Sequence, residues 1–596
     1  LSQKLDPIRV ALLHGGMRRS YWLLFLLLLP VALAKSGHIT LLTVVQHGDQ
    51  SLGGGTADLY LDVKPGSGRI FIDSFPLTKI DTQISTRLAN QVACSYIETD
   101  CLVYDFFYKI EANSPLVGGP SAGGALAVLT IAVLKDLSLD NETVMTGTID
   151  TGGLIGPVSG IYEKAKAAEQ AGYKKILIPK WASSVLVITL PSNATLNLTN
   201  SSHSTRINKT LSLLNYTNQT NLLSNLSIQI IKIGNIDEAL YEFTKQNFTQ
   251  NEHIETSSEY TQVMQKIADE LCNRTRSLQN LVDKRKLNYT DESNFSKRAT
   301  STYTSARYYA TASYCFSQNI RLLARVLQTQ TNSQRYERML NLTVSVTELD
   351  QKIDAKDLQT LSDLETYMIV KERVLEALES LRAINTSNVS SNLLSYASER
   401  YHSANVWSGF FGLPGQPLSL DQDHLKEGCQ KKISEAEERL SYVDIYAPGY
   451  LRRSREELGF AYLQRAEKRY VLCLSTASRV KAEADVFITA SAVDSNQLVA
   501  LAQEQLSAAK RVIAKEQAKG LFPILGYSYV EYAETLIQDD PLSAITFSQY
   551  ALELSNLDMY FPQPKAYNLP FDYFFFIFMG MILGVLGTKL YDLKRR

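Results

Sequence analysis

The sequence predicts an α+β domain over residues 35–250, a large all-α helical domain over 255–560 and a C-terminal transmembrane helix over 569–591. Three observations carry this. Strand-like and helical patterns alternate from His38 to about Thr249. Helical period alone dominates from about 255 to 560. A nearly continuous apolar run, Tyr573–Thr588, precedes a basic tail at 592–596.

The chain starts with a segment that reads as secretory. Arg18 and Arg19 form a basic region, Tyr21–Leu33 is almost wholly apolar, and Ala32-Leu33-Ala34 has the small-x-small form of a cleavage site. The apolar run is short for a retained span of about 20 residues. Residues 1–16 precede Met17 and look like translated sequence upstream of the start, so 1–34 are set aside from the fold.

The strand candidates that follow are His38–Val45, then Ala57–Val63 and Gly68–Ser74 joined by the turn signal Lys64-Pro65-Gly66-Ser67. Asp81–Ser95 has helical spacing through Ile84, Leu88 and Val92. Cys101–Ile110 is strand-like, Ser121–Leu137 is a helix of small residues, and Glu142–Asp150 is a strand. Ile161–Gly172 is a helix with a glycine stop, and Lys174–Pro179 is a short apolar strand. Ile228–Ile233 and Ile236–Phe243 add a strand and a helix, which leaves 180–227 as an insertion.

In the helical region Tyr309, Phe316 and Leu323 recur every seven residues, and Leu358, Leu361, Leu364, Met368, Leu375, Leu378 and Leu381 form a second stripe. Breaks fall near Asn385–Asn392, Gly409–Gln422 and Pro448-Gly449. The pattern fits an irregular helical-hairpin array or a plain bundle equally well, since no fixed period emerges. At the end of the chain Tyr567, Phe571, Tyr573, Phe574, Phe575 and Phe576 suit an interfacial belt. Lys589, Lys594, Arg595 and Arg596 suit a cytoplasmic end, which leaves the bulk of the chain outside the cell.

Composition narrows the function. With 60 basic and 61 acidic residues the chain is no polybasic nucleic-acid binder, and no nucleic-acid partner is expected. Six scattered cysteines with no C-x-x-C, and seven histidines with no H-E-x-x-H, give no zinc centre, and no metal or cofactor is implied. An even cysteine count fits an oxidising compartment. Six cysteines allow fifteen pairings; near-neighbour pairing would give Cys94–Cys101, Cys272–Cys315 and Cys429–Cys473, and buried thiols are the alternative.

Fifteen N-x-[ST] sequons point the same way. Seven crowd one segment: Asn193, Asn197, Asn200, Asn208, Asn215, Asn218 and Asn225. The others are Asn141, Asn247, Asn273, Asn288, Asn294, Asn341, Asn385 and Asn388. The cluster marks an exposed, glycan-bearing loop.

Chemistry concentrates between Leu116 and Lys164. Gly118-Gly119-Pro120-Ser121 is a glycine-rich turn into a helix whose first residues are Pro120 and Ser121. Ser121 then stands at the positive helix end, where backbone N–H groups such as those of Gly119 and Ser121 can stabilise an oxyanion. Helix capping by Ser121 is the plainer alternative. Further on, Ile161, Ala165, Ala168 and Gly172 share one helical face. At roughly 100° per residue Lys164 lies about 60° from the centre of that face and Lys166 about 140° away. Lys164 therefore points inward, half-buried beside alanines, unless its stem snorkels over apolar atoms. Lowering its pKa from about 10.4 to about 7.5 costs roughly 4 kcal/mol. A neutral Lys164 can take the hydroxyl proton of Ser121.

The motifs Gly119-Pro120-Ser121-Ala122-Gly123, Thr146-Gly147-Thr148, Gly160-Ile161-Tyr162-Glu163-Lys164 and Ile176-Leu177-Ile178-Pro179 resemble, in order and spacing, the proteolytic domain of Lon proteases over about 37–248. The resemblance implies a Ser-Lys dyad with Ser121 as nucleophile, Lys164 as general base and Thr146 as a supporting residue. The chain differs from bacterial Lon in having no G-x-x-x-x-G-K-[ST] loop, in its secretory and anchoring ends, and in a helical domain placed after the protease domain. In these it resembles ATPase-free, membrane-anchored Lon-like proteases of archaeal type. Its expected substrates are unfolded, flexible or short polypeptides. The absent motor leaves a homo-oligomer, or cell-surface protein partners, as open expectations. A scaffolding cell-surface glycoprotein that keeps a Lon-like fold is the alternative, and a helical binding module that uses the domain only to cleave itself is a third.

Overall fold

The computed structural model describes residues 35–46, 52–181, 223–248, 252–291, 294–491, 493, 495–561 and 571–595. The secretory segment 1–34 and the sequons Asn193, Asn197, Asn200, Asn208, Asn215 and Asn218 lie outside the described residues.

The first half is built on a seven-stranded sheet. Its strands are β1 (Lys35–Gln46), β2 (Leu52–Pro65), β3 (Ile70–Thr78), β4 (Tyr104–Val117), β5 (Thr143–Met145), β8 (Lys175–Pro179) and β9 (Gln229–Ile233), in the order β3-β4-β2-β1-β5-β8-β9. The strands β6 (Thr148–Ile149) and β7 (Ile155–Gly156) form a separate antiparallel pair. β1, β5, β8 and β9 run parallel, and β5 and β8 are covered on both faces. That is why they read as unbroken apolar runs rather than alternating ones.

Helices cover the sheet from two sides. Helix α1 (Ile80–Tyr96), helix α2 (Gly123–Lys135) and helix α4 (Ile236–Thr244) share one core with Ile39, Leu41, Met145 and Leu177. Helix α3 (Ile161–Gln170) packs on the other face with Leu42, Val144, Ile176 and Ile178. The alternation of neighbouring strand residues between the two cores follows from the period of two. α2 is buried all round from Gly123 to Leu134, as its apolar sequence demands.

Three local expectations need correction, and one turn joins strands that are not neighbours in the sheet. Glu142–Asp150 is not one strand: Thr146 N–H still bonds to Leu177 of β8, but from Gly147 the backbone leaves the main sheet and bonds to Ser121 and Gly124. Residues 57–63 and 68–74 follow one another through a turn but do not pair; β4 lies between β2 and β3, antiparallel to one and parallel to the other. Pro120 and Ser121 belong to a 3-10 turn, Pro120–Ala122, and α2 starts after it. Residues 101–103 form a 3-10 turn, so β4 begins at Tyr104.

The second half is an irregular bundle of twelve helices. They are α5 (Ser258–Lys284), α6 (Phe295–Thr304), α7 (Tyr308–Gln328), α8 (Asn332–Asp354), α9 (Leu361–Arg382), α10 (Ser391–Trp407), α11 (Gln422–Tyr446), α12 (Arg452–Ala466), α13 (Tyr470–Ser491), α14 (Leu498–Ala518), α15 (Ile524–Leu536) and α16 (Pro541–Ser555). Thr331 and Thr360 close capping boxes with Gln334 and Asp363, which starts α8 and α9 where they do. One large apolar core runs through the bundle, and a smaller one lies between α11, α12 and α13. Disulfides join Cys94 to Cys101, Cys272 to Cys315 and Cys429 to Cys473. The second ties α5 to α7 and the third α11 to α13, so partners skip a helix and no simple hairpin repeat results.

Helix α17 spans Phe571–Leu593. Among the described residues no helix is long and apolar enough to cross a membrane.

Candidate active site

Ser121, Lys164, Thr146 and Gly119 come from four separate stretches of chain. Ser121 is set by the turn before α2. The carbonyl of Gly119 accepts from Thr82 Oγ1 at 3.5 Å and that of Pro120 from Ser85 Oγ at 3.5 Å, both hydroxyls on α1. Gly119 has φ +102°, and a Cβ there would meet nothing, so glycine is required by the backbone turn and not by crowding. In this turn the N–H of Ser121 precedes the first helical bonds and has no intrahelical acceptor. It sits at the positive end of the buried helix α2.

Lys164 comes from the first turn of α3. That helix can approach β2 because of Gly54, where a Cβ would lie 2.0 Å from the Glu163 carbonyl oxygen. The close approach drives Lys164 inward. It is 3% exposed, fully buried rather than half-buried as expected, while Lys166 lies in solvent. Among the described residues its amine makes one hydrogen bond, to Thr146 Oγ1 at 3.1 Å. An ammonium there leaves two N–H bonds unsatisfied away from water. Burial accordingly pushes Lys164 down to about 7, against a smaller upward pull from Glu163.

Thr146 joins the two. Its hydroxyl approaches the Ser121 carbonyl at 3.4 Å. The next residue strengthens the tie: Gly147 N–H donates to the Ser121 carbonyl at 3.0 Å, and the Gly147 carbonyl accepts from Gly124 N–H at 3.0 Å. Thr146 N–H donates to the Leu177 carbonyl at 3.0 Å. Among the described residues no hydrogen bond links Lys164 Nζ directly to the Ser121 hydroxyl; Thr146 connects the amine to the Ser121 backbone carbonyl. Such gaps commonly close only when substrate is bound.

Sequence reasoning missed Thr82 and Ser85. Their signal was present, since Thr82, Ser85, Thr86 and Asn90 place polar groups on the buried side of α1. Buried hydroxyls on an inward helix face need partners, and two of these find theirs in the Gly119-Pro120 turn. The sequons Asn141, Asn225, Asn247, Asn273, Asn288, Asn294, Asn341, Asn385 and Asn388 all place their asparagine in solvent.

A hydroxyl at a helix N-terminus and a buried, deprotonatable lysine tied to the same backbone through Thr146 are the parts that a Ser-Lys peptidase site requires. Residues 111–213 match the C-terminal proteolytic domain of Lon protease (S16). Lon protease 2 of Bacillus subtilis is 40% identical over 76 residues, covering 13% of this chain and 14% of that protein. Lon protease of Methanosarcina barkeri is 32% identical over 119 residues, covering 20% of this chain and 15% of that protein. The similarity to Lon proteases thus falls within the α+β domain and the segment that follows β8, and the chain spans less than a fifth of the length of these curated relatives.

Proposed function

We propose that the chain is a membrane-anchored, cell-surface serine endopeptidase that works without ATP on unfolded or flexible polypeptides. The observation that carries the peptidase reading is the buried Lys164 amine, linked through Thr146 to the Ser121 backbone and lowered by burial to about 7, so that a substantial share of it is neutral near neutral pH. In the reaction Lys164 Nζ takes the proton of Ser121 Oγ as that oxygen attacks the peptide carbonyl. The N–H groups of Ser121 and Gly119 face the oxyanion that forms. Lys164 then returns the proton to the leaving amine, and water attacks the acyl-enzyme with Lys164 again as base.

The location rests on separate observations. On α17 Met581, Ile582, Leu583, Val585, Leu586 and Leu590 are all exposed, an arrangement that suits lipid. Three disulfides and the exposed sequon asparagines suit an oxidising, glycosylating compartment. ATP independence rests on the absence of a G-x-x-x-x-G-K-[ST] loop from this sequence. A serine-reactive probe applied to wild type and Ser121→Ala tests the reading. Labelling of wild type alone supports it; equal absence of labelling favours a scaffold that keeps the fold.

A further inference from the structure

The segment between Ser121 and Lys164 has a support from outside the peptidase domain. Thr146 and Gly147 lead straight into the β6–β7 pair, which has only two residue pairs, Thr148↔Gly156 and Ile149↔Ile155. So short a ladder does not hold itself in place. The helical domain grips it. Arg439 of α11, 2% exposed, donates from its guanidinium to the Ile149 carbonyl. The same guanidinium lies 2.9 Å from Asp485 of α13 and 3.6 Å from Glu438. Two residues on, Thr151 Oγ1 donates to Glu553 of α16 at 2.8 Å and accepts from Lys481 of α13 at 2.9 Å. Tyr442 OH donates to the Pro157 carbonyl at 3.5 Å. α11 also packs on α1, the helix whose hydroxyls hold Gly119 and Pro120.

We infer that Arg439 is a positioning residue for the peptidase site: by holding the Ile149 carbonyl it fixes the Thr146–Ile149 segment that stands between Lys164 and Ser121. The helical domain is then part of the working site and not an appendage. Burying a guanidinium is costly, and an apolar residue would fill the space more cheaply. Only a donor, however, satisfies a buried carbonyl. The guanidinium reaches the Ile149 carbonyl through one nitrogen and lies against Asp485 through another, and its rigid plane fixes the two directions relative to each other, which the freely rotating ammonium of a lysine does not.

The inference rests on the dyad reading above, and the experiment separates the two. The full-length chain is compared with R439K and with the charge-balanced double variant R439M/D485L. For each, melting temperature, kcat and KM on a fluorogenic peptide, and labelling by a serine-reactive probe are measured. A displaced segment lowers kcat about tenfold or more in the double variant, while KM stays within about twofold and the melting temperature within a few degrees. R439K keeps the charge, loses the fork and falls in between. If the double variant does not fold, R439K alone decides. Wild-type kcat in a folded variant that lacks the guanidinium overturns the inference while leaving the dyad intact. Failure of wild type to label or hydrolyse overturns the dyad, and this inference with it.

Discussion

The amine of Lys164 and the hydroxyl of Thr146 meet at 3.1 Å inside a site that is closed to water on the lysine side. Thr146 also reaches the Ser121 carbonyl, so one hydroxyl ties the Lys164 amine to the backbone of Ser121.

The first consequence is a pH profile. Burial lowers Lys164 to about 7, and only its neutral form accepts a proton. kcat/KM for a fluorogenic peptide therefore rises with pH through an apparent pKa near 7, far below the ordinary lysine value of about 10.4. A profile measured from about pH 5 to 10 that stays flat means that Lys164 is not the titrating base.

The second consequence concerns stability. Between pH 7 and 10.5 the unfolded chain holds the Lys164 proton and the folded chain does not. Stability therefore rises with pH across that window, and the penalty is complete below it. Lys164→Met removes the penalty, of about 3–5 kcal/mol at pH 6, less about 1 kcal/mol for the lost hydrogen bond. The variant melts above wild type at pH 6, and the advantage disappears toward pH 10. Thermal melts at the two pH values check this, and an advantage that grows with pH reverses the sign.

Thr146→Val keeps the shape of a residue that is only 1% exposed and removes the hydroxyl. The base then loses its one acceptor, and kcat falls about tenfold to a hundredfold with the fold intact. Because an acceptor favours the charged amine, the pH profile also moves to lower pH. Unchanged kcat and profile would show that Thr146 supports the backbone alone.

Lys164 was legible because helical period separates an inward lysine from an outward one two residues later, and the structure buries Lys164 and exposes Lys166. The elements of the α+β half were legible for the same reason, as each carries its own period. Pairings were not. β4 enters between β2 and β3 through contacts distant in sequence, and no local pattern announces it. The break at Thr146-Gly147 was hidden because Thr143–Met145 and Thr148–Ile149 read as one apolar run, while the bonds that divide them go to Ser121 and Gly124. Arg439 was hidden more deeply. Charged residues on a helix read as a solvated face, and nothing near Arg439 says that a carbonyl 290 positions earlier receives its hydrogen bond.

Activity of the full-length chain in detergent is expected to be indifferent to Mg-ATP. No phosphate-binding loop of the G-x-x-x-x-G-K-[ST] form occurs in the sequence, so nucleotide has no such site through which to act. Casein hydrolysis with and without Mg-ATP checks this, and stimulation beyond about threefold, more than 0.6 kcal/mol of barrier, contradicts it.

The central claim is that Ser121 and Lys164 act together. The most direct test is hydrolysis of one fluorogenic peptide by wild type, Ser121→Ala, Lys164→Ala and Lys166→Ala, each shown to be folded. Ser121→Ala and Lys164→Ala are expected to lose about a thousandfold or more in kcat, while Lys166→Ala, altered only in solvent, stays within about twofold of wild type. Near wild-type turnover by Lys164→Ala would contradict the claim.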